Sequence, residues 1–348
     1  MSKVIRYGLV GAGLVSQNYA QAFLSTQASE LVAVHDILPE AVKSLCAKTN
    51  ARGYTDLAAM IRESNLDAVI ICTPPSTHLE ISKVFLKAGI HVLCEKPISI
   101  NRASLDEMLS TAKQHGVMLS MASKFRYVKD VIRAKQMFEL GLLGEVVLFE
   151  NSFLSKVDMA GKWNSQSEVS GGGVFIDNGT HSVDIMRYLL GPIKTIKVVE
   201  GKRLAGLPVD ETVHVLIRGT NGILGRIDLS WSIKQDNPSF ITVHGSHGRL
   251  NIGWKESTYS LYSTGETVVF GAGYDKVAAF SSQINNFSDA ICGRADSLIS
   301  EADILASVEV IEAGYRSLRS TDWETVGSST AAARPAANGA ALNPAGLA

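Results

Sequence analysis

The chain has 348 residues, 46% of them hydrophobic and 19% charged, with a formal net charge of -1 at pH 7. That length allows two domains with large cores, and the near-neutral charge removes any electrostatic case for a nucleic-acid or membrane partner. Four scattered cysteines (Cys46, Cys72, Cys94, Cys292) have neither zinc nor CxxC spacing, so no metal centre is expected and a reducing, cytoplasmic setting is.

MSKVIRYGLVGAG leads straight into a strand pattern, without signal-peptide character or a run long enough to span a membrane. Apolar runs follow at 4–10, 30–36, 67–73, 90–95 and 117–122, separated by helical patterns near 14–27, 39–49, 55–63, 77–88 and 101–115. Continuous apolar strands alternating with helices predict an α/β, doubly wound parallel sheet over residues 1–122.

After Ala122 the pattern changes. A helix at 128–141 and a strand at 145–154 precede a polar loop, a glycine run and a long helix. Alternating segments such as ETVHVLIRGT and ILGRIDLSWSI then predict an antiparallel sheet with one covered face. Helices at 275–293 and 301–319 are expected to close this second α/β domain, 123–326. The Ala-, Pro-, Gly- and Asn-rich stretch 327–348 has too little to bury and is expected to be a disordered tail.

Strand 4–10 enters GLVGAGLVS, with Gly11, Gly13 and Ser16 at the positions of a dinucleotide-binding glycine turn. Asp36, at the end of the second strand, is where an acid would accept hydrogen bonds from ribose hydroxyls and repel a 2′-phosphate. No Arg follows it, so NAD is expected over NADP. The third and fourth strands end in CTPPSTH (72–78) and CEKP (94–97), at the sheet edge where cofactors bind; Pro97 is a candidate for a cis bond. The cofactor-edge set is therefore Gly11, Gly13, Leu14, Val15, Asp36, Thr73, Pro74, His78, Glu95 and Lys96.

In GGGVFIDNGTHSVD (171–184), Asp177 and His181 lie about 40° apart on one helix face. Asp184 and Tyr188 extend the stripe, and Val174, Phe175, Ile185, Met186 and Leu189 occupy the opposite side. A solvated face normally carries Lys, Glu and Gln, which this one lacks. The three glycines suggest close approach of substrate or sheet to the helix start.

Taken in order, the glycine turn, TPPSTH, EKP and SGGGVFIDNGTHSVDIMRYLLG resemble the glucose–fructose oxidoreductase/inositol dehydrogenase/MocA family over about Val4 to Val326. The resemblance implies an N-terminal Rossmann domain over 1–122, then an α/β domain with a large open, mostly antiparallel sheet, a nicotinamide cofactor, a sugar or cyclitol substrate, and a dimer or tetramer formed through the open sheet. It also implies a catalytic set at Lys96, Asp177 and His181. His181 is read as the general base, Lys96 as the group stabilising the alkoxide, and Asp177 as orienting substrate or His181.

Lys124, Arg126, Trp163 and Asp184 are further substrate-binding candidates, and Lys156 and Lys162 accompany Trp163 in a loop read as a sugar-stacking lid. Two cations at Lys124 and Arg126 would suit a phosphorylated or nucleotide-linked sugar, although surface charges on a domain linker are the plainer reading. Tyr188, His244 and His247 are read as structural, and His35, His91 and His214 receive no role. An NAD-dependent glycoside hydrolase and a non-catalytic nucleotide-sensing regulator on the same fold stand as alternatives.

Overall fold

The computed structural model describes residues 3–26 and 28–327; the tail expected to be disordered lies, apart from Gly327, outside the described residues. The first part alternates β1 (Ile5–Val10), α1 (Leu14–Phe23), β2 (Ser29–His35), α2 (Pro39–Cys46), β3 (Arg52–Tyr54), α3 (Leu57–Ser64), β4 (Ala68–Ile71), α4 (His78–Lys87), β5 (His91–Glu95), α5 (Arg102–Gln114) and β6 (Leu119–Ala122). These strands form one six-stranded sheet in the order β3-β2-β1-β4-β5-β6, and every pairing is parallel. The short β3, exposed at two of its three residues, carries too weak a hydrophobic signal to be read from sequence. Helix starts are set locally: Asp56 accepts from Ala59 N before α3 and Asn101 from Ser104 N before α5, each such cap contributing about 1 kcal/mol.

Beyond β6 come α6 (Lys129–Glu139), β7 (Val146–Leu154), the short α7 (Ser167–Ser170) and α8 (Val174–Leu190). They are followed by β8 (Ile193–Glu200), β9 (Thr212–Gly219), β10 (Leu224–Ser230), β11 (Ser239–Gly245), β12 (Gly248–Gly253), β13 (Ser257–Leu261) and β14 (Thr267–Gly271). The chain ends in α9 (Lys276–Ile291), α10 (Glu301–Ser320) and the two-residue β15 (Glu324–Thr325). Nine strands make the second sheet, ordered β14-β13-β12-β11-β7-β10-β9-β8-β15 and antiparallel except where β7 meets β10. Its strands alternate buried with partly exposed residues, as one covered face requires. α8 and α10 cover that face. Across the open face runs a polar ladder: His244 to Glu150 at 3.0 Å, Glu150 to Arg226 at 3.1 Å, Arg226 to Asp228 at 3.4 Å and Asp228 to His214 at 2.5 Å.

One expectation is corrected here. α9 does not close the second domain but returns to the first sheet. Phe280 packs edge-on to Tyr19 of α1 at 4.5 Å, and Ser288 hydrogen-bonds Tyr7 and Ser29 at 2.7 Å. Phe280, Ile284 and Phe287 belong to the same apolar cluster as Ile5, Tyr7 and Leu9, so this face of the parallel sheet is covered by a helix some 250 residues away in sequence. Periodicity shows that a helix has an apolar face, not which sheet receives it.

Candidate active site

At the carboxyl edge of the parallel sheet, Gly11 adopts φ +90°, and a Cβ there would stand 2.9 Å from the Cys72 carbonyl carbon. Gly13 is different: nothing lies within 4 Å of its would-be Cβ, and as N-cap of α1 it supplies no side-chain cap. The first-turn N–H groups of α1 are thus available to an anion, as a pyrophosphate needs. The Ser16 hydroxyl, fully buried, donates to the Gly11 carbonyl and fills the third glycine position. Asp36 accepts from Ala12 N at 2.7 Å and Leu38 N at 2.9 Å, fixing its carboxylate beside the turn. These features fit a dinucleotide.

A cavity of about 790 Å³ opens along this edge. Of the sequence candidates, it brings together Val15, Thr73, Glu95, Lys96, Lys124, Trp163, Asp177 and His181. Lys96 follows β5 through a cis peptide to Pro97. Its ammonium donates to Asp177 Oδ1 at 2.5 Å and to the Asp177 carbonyl at 3.0 Å, joining β5 to the first turn of α8. Glu95 is buried, receives the Tyr19 hydroxyl at 2.7 Å and Lys96 N at 3.1 Å, and has its carboxyl pushed up chiefly by burial.

His181, one turn beyond Asp177, is 6% exposed, with the Phe125 ring edge-on at 4.9 Å. Burial, then the charges of Lys96 and Lys124, push its imidazole well below the usual histidine value. Its Nδ1 is buried without a hydrogen-bond partner. Asp177 therefore pairs with Lys96, and its expected alternative role of orienting the imidazole is not seen. Lys124 is a cavity residue, not a linker charge, and burial is the main cause that lowers its ammonium to about 8.

Two expectations fail for stated reasons, and a third is decided between its two alternatives. Arg126 and Asp184 do not line the cavity: both are buried, and the guanidinium meets Asp184 Oδ1 at 2.6 Å and Asp303 at 3.0 Å. His78 is enclosed by the carbonyls of Thr73, Pro97 and Ile98 at 2.9–3.3 Å, so it braces the two loops instead of reaching a cofactor. The glycines at 171–173 admit protein, not ligand: a Cβ on Gly172 would meet the Tyr315 hydroxyl at 1.9 Å, and one on Gly173 the Asp210 carbonyl at 2.0 Å. That contact lets the Asp210 carboxylate cap α8, accepting from Gly173 N at 2.9 Å and Phe175 N at 2.7 Å. Tyr188 packs under Arg126 and Lys135, while Leu14 is exposed and Pro74 lies off the cavity lining.

The opposite wall was missed from sequence. Phe153, Trp254 and Tyr274 present rings, and residues 234–237 line the cavity together with Lys156 and Trp163. Lys276, the first residue of α9, completes the lining. Phe153 lies near the end of β7, residues 234–237, Trp254 and Tyr274 lie in the connections after β10, β12 and β14, and Lys276 opens α9, so only the strand order brings them together.

Two family descriptions match the chain: "Oxidoreductase family, NAD-binding Rossmann fold" over residues 5–123 and "GFO/IDH/MocA C-terminal domain" over 131–251. The chain belongs to the Gfo/Idh/MocA oxidoreductase family. Among its relatives in that family, inositol 2-dehydrogenase of Rhizobium meliloti is 26% identical over 328 residues, covering 90% of this chain and 97% of that protein. Myo-inositol 2-dehydrogenase of Thermotoga maritima is 28% identical over 252 residues, covering 71% and 74%. The solved structure of levoglucosan dehydrogenase with NADH and levoglucosan has the same fold, with a TM-score of 0.85 at 21% identity, covering 93% of this chain and all of that one. No helix among the described residues of this family member is long and apolar enough to cross a membrane.

Proposed function

We propose that this protein is an NAD-dependent dehydrogenase that oxidises a secondary hydroxyl of a sugar or cyclitol. The observation that carries this reading is the meeting of Lys96, Asp177 and His181 on one cavity wall beside the glycine turn. The relatives named for inositol and levoglucosan oxidation support it.

The ammonium of Lys96 has three N–H donors, of which Asp177 occupies two. The third is left for the substrate oxygen, where it stabilises charge as the O–H bond breaks. His181, kept neutral by burial and by the two lysines, accepts the hydroxyl proton. Asp177 holds Lys96 in place. The bound nicotinamide supplies the hydride-accepting chemistry. Trp163 and Trp254, each 40% exposed, flank the cavity as stacking surfaces for a sugar ring. Assembly into a dimer or tetramer is assigned to the open face of the nine-stranded sheet.

NADH formation at 340 nm over a panel of inositols, free sugars, sugar acids and sugar phosphates tests the reading. Lys96→Ala should lower kcat about 10²- to 10³-fold with little change in NADH affinity; an ordinary rate in that variant removes Lys96 from the mechanism. Asp36 is assigned to the adenosine ribose, so Asp36→Ala combined with Ile37→Arg should move the ratio of kcat/KM toward NADP⁺ by more than tenfold. Retained NAD⁺ preference in the double variant would count against that assignment.

A further inference from the structure

The cavity carries five lysines, Lys96, Lys124, Lys156, Lys234 and Lys276, against three carboxylates, Glu95, Asp177 and Asp236. All three carboxylates are engaged: Glu95 by Tyr19 and the Lys96 amide, Asp177 by Lys96, and Asp236 by Lys234 at 2.8 Å. Lys124 differs from the other cations. It is largely enclosed, its ammonium lies 5.4 Å from the Phe125 ring centre and 5.5 Å from that of Phe280, and it makes no ion pair or hydrogen bond among the described residues. Glu95 and Asp177 act on it only from beyond contact distance; a desolvated charge without a counter-ion in contact is costly, and two ring faces offset only part of the cost.

The cofactor's own phosphates are poorly placed to pair with it. Lys124 follows β6, which is third from β1 in the sheet, so about 14 Å separates its strand from the glycine turn. It stands instead next to β5, beyond Lys96, and it is close enough to His181 to help depress the imidazole. That is the substrate's side of the cavity.

We propose that the substrate carries an anionic group, a carboxylate or a phosphate, and that Lys124 binds it and sets the specificity for charged over neutral sugars. The inference rests on the dehydrogenase reading of the same site but is tested by binding alone. A charge-assisted hydrogen bond in an enclosed site is worth about 10- to 100-fold in affinity, enough to decide between a sugar acid or phosphate and its neutral counterpart.

The experiment uses the full chain loaded with NADH, so that the pyrophosphate site is filled throughout. Cofactor fluorescence is followed while D-gluconate, D-glucuronate, D-glucose 6-phosphate, D-glucitol, D-glucose and myo-inositol are titrated in. The anionic probes of at least one class are expected to bind tenfold or more tightly than the neutral ones, and the better class names the group. Lys124→Gln should reduce that discrimination to within about twofold, and Lys124→Arg should keep most of it. NADH affinity and melting temperature in both variants report intact folding.

Glu95, Lys96, Asp177, His181 and Lys276 face Lys124, and with its ammonium lowered to about 8 the anion preference should weaken as pH rises through that value. Equal binding of neutral probes, a discrimination that survives Lys124→Gln, an equal loss for both classes, or no binding by any probe overturns the inference. Discrimination without NADH formation from any sugar would leave Lys124's role standing and defeat the dehydrogenase reading. Turnover of neutral sugars without discrimination would do the reverse.

Discussion

His181→Ala is expected to lower kcat/KM by about 10²- to 10⁴-fold while leaving NADH affinity within a few-fold, because it removes the proton acceptor and nothing that touches the nucleotide turn. Burial and two lysine charges hold the imidazole neutral well into the acid range. A low proton affinity would make a poor base in isolation. In the proposed reaction the same lysine charges would also stabilise the substrate's alkoxide, so donor and acceptor would be lowered together and the difference that drives transfer would be less altered than either value.

The pH dependence follows from the sign of that shift. An unperturbed histidine would impose an acid limb near 6.5 on kcat/KM. With the folded value below this, the wild-type limb should lie well under pH 6.5. In the window between the folded value and 6.5, the unfolded chain binds the proton more readily, so His181 makes stability fall as pH drops through that window. His181→Ala should therefore be less sensitive to acid in that range than the wild type. A loss of activity under tenfold, or an acid limb at 6.5, would move proton transfer to another group.

The parts of the fold that were legible in sequence are those where a short segment carries its own signal. The glycine turn, the buried strands and the EKP corner are local, and Asp177 and His181 share a helix face by arithmetic alone. Asp184 obeys the same arithmetic, yet it belongs to the core. One turn past His181, α8 has left the cavity rim, and the stripe that faces a ligand at one end faces Arg126 at the other. The three glycines were read as room for substrate or for the sheet, and they are room for Asp210 and Tyr315. In each case the missing information is the identity of the neighbour, which comes from segments far away in sequence: 301–320 for α10, 276–291 for α9, and the loops that carry Trp254 and Tyr274. Lys124 shows the same limit in the other direction. Its charge in SKFRYVKD could be read as a linker feature or as a cleft residue, and only its place in the cavity lining decides for the second.

The largest stability effect should come from Arg126→Met. The guanidinium is 2% exposed and Asp184 is fully buried. Arg126 Nε lies 3.0 and 2.9 Å from the two Asp184 oxygens, Nη2 lies 2.6 Å from Oδ1, and the Ser123 hydroxyl also donates to that carboxylate. Asp303, which forms the capping box of α10 with Ser300, takes the remaining side of Nη2 at 3.0 Å. One side chain thus ties the segment after β6 to α8 and to the start of α10. Removing it leaves a buried carboxylate uncompensated, at a cost of about 3–5 kcal/mol. Denaturant midpoints should fall accordingly, and the double variant Arg126→Met with Asp184→Leu should recover part of the loss, because an apolar pair no longer strands a charge. Substrate KM and NADH affinity of the folded Arg126→Met protein should stay within about threefold, since neither member of the pair lines the cavity. A KM raised tenfold at unchanged stability would return Arg126 to the substrate, as its place in the sequence had suggested.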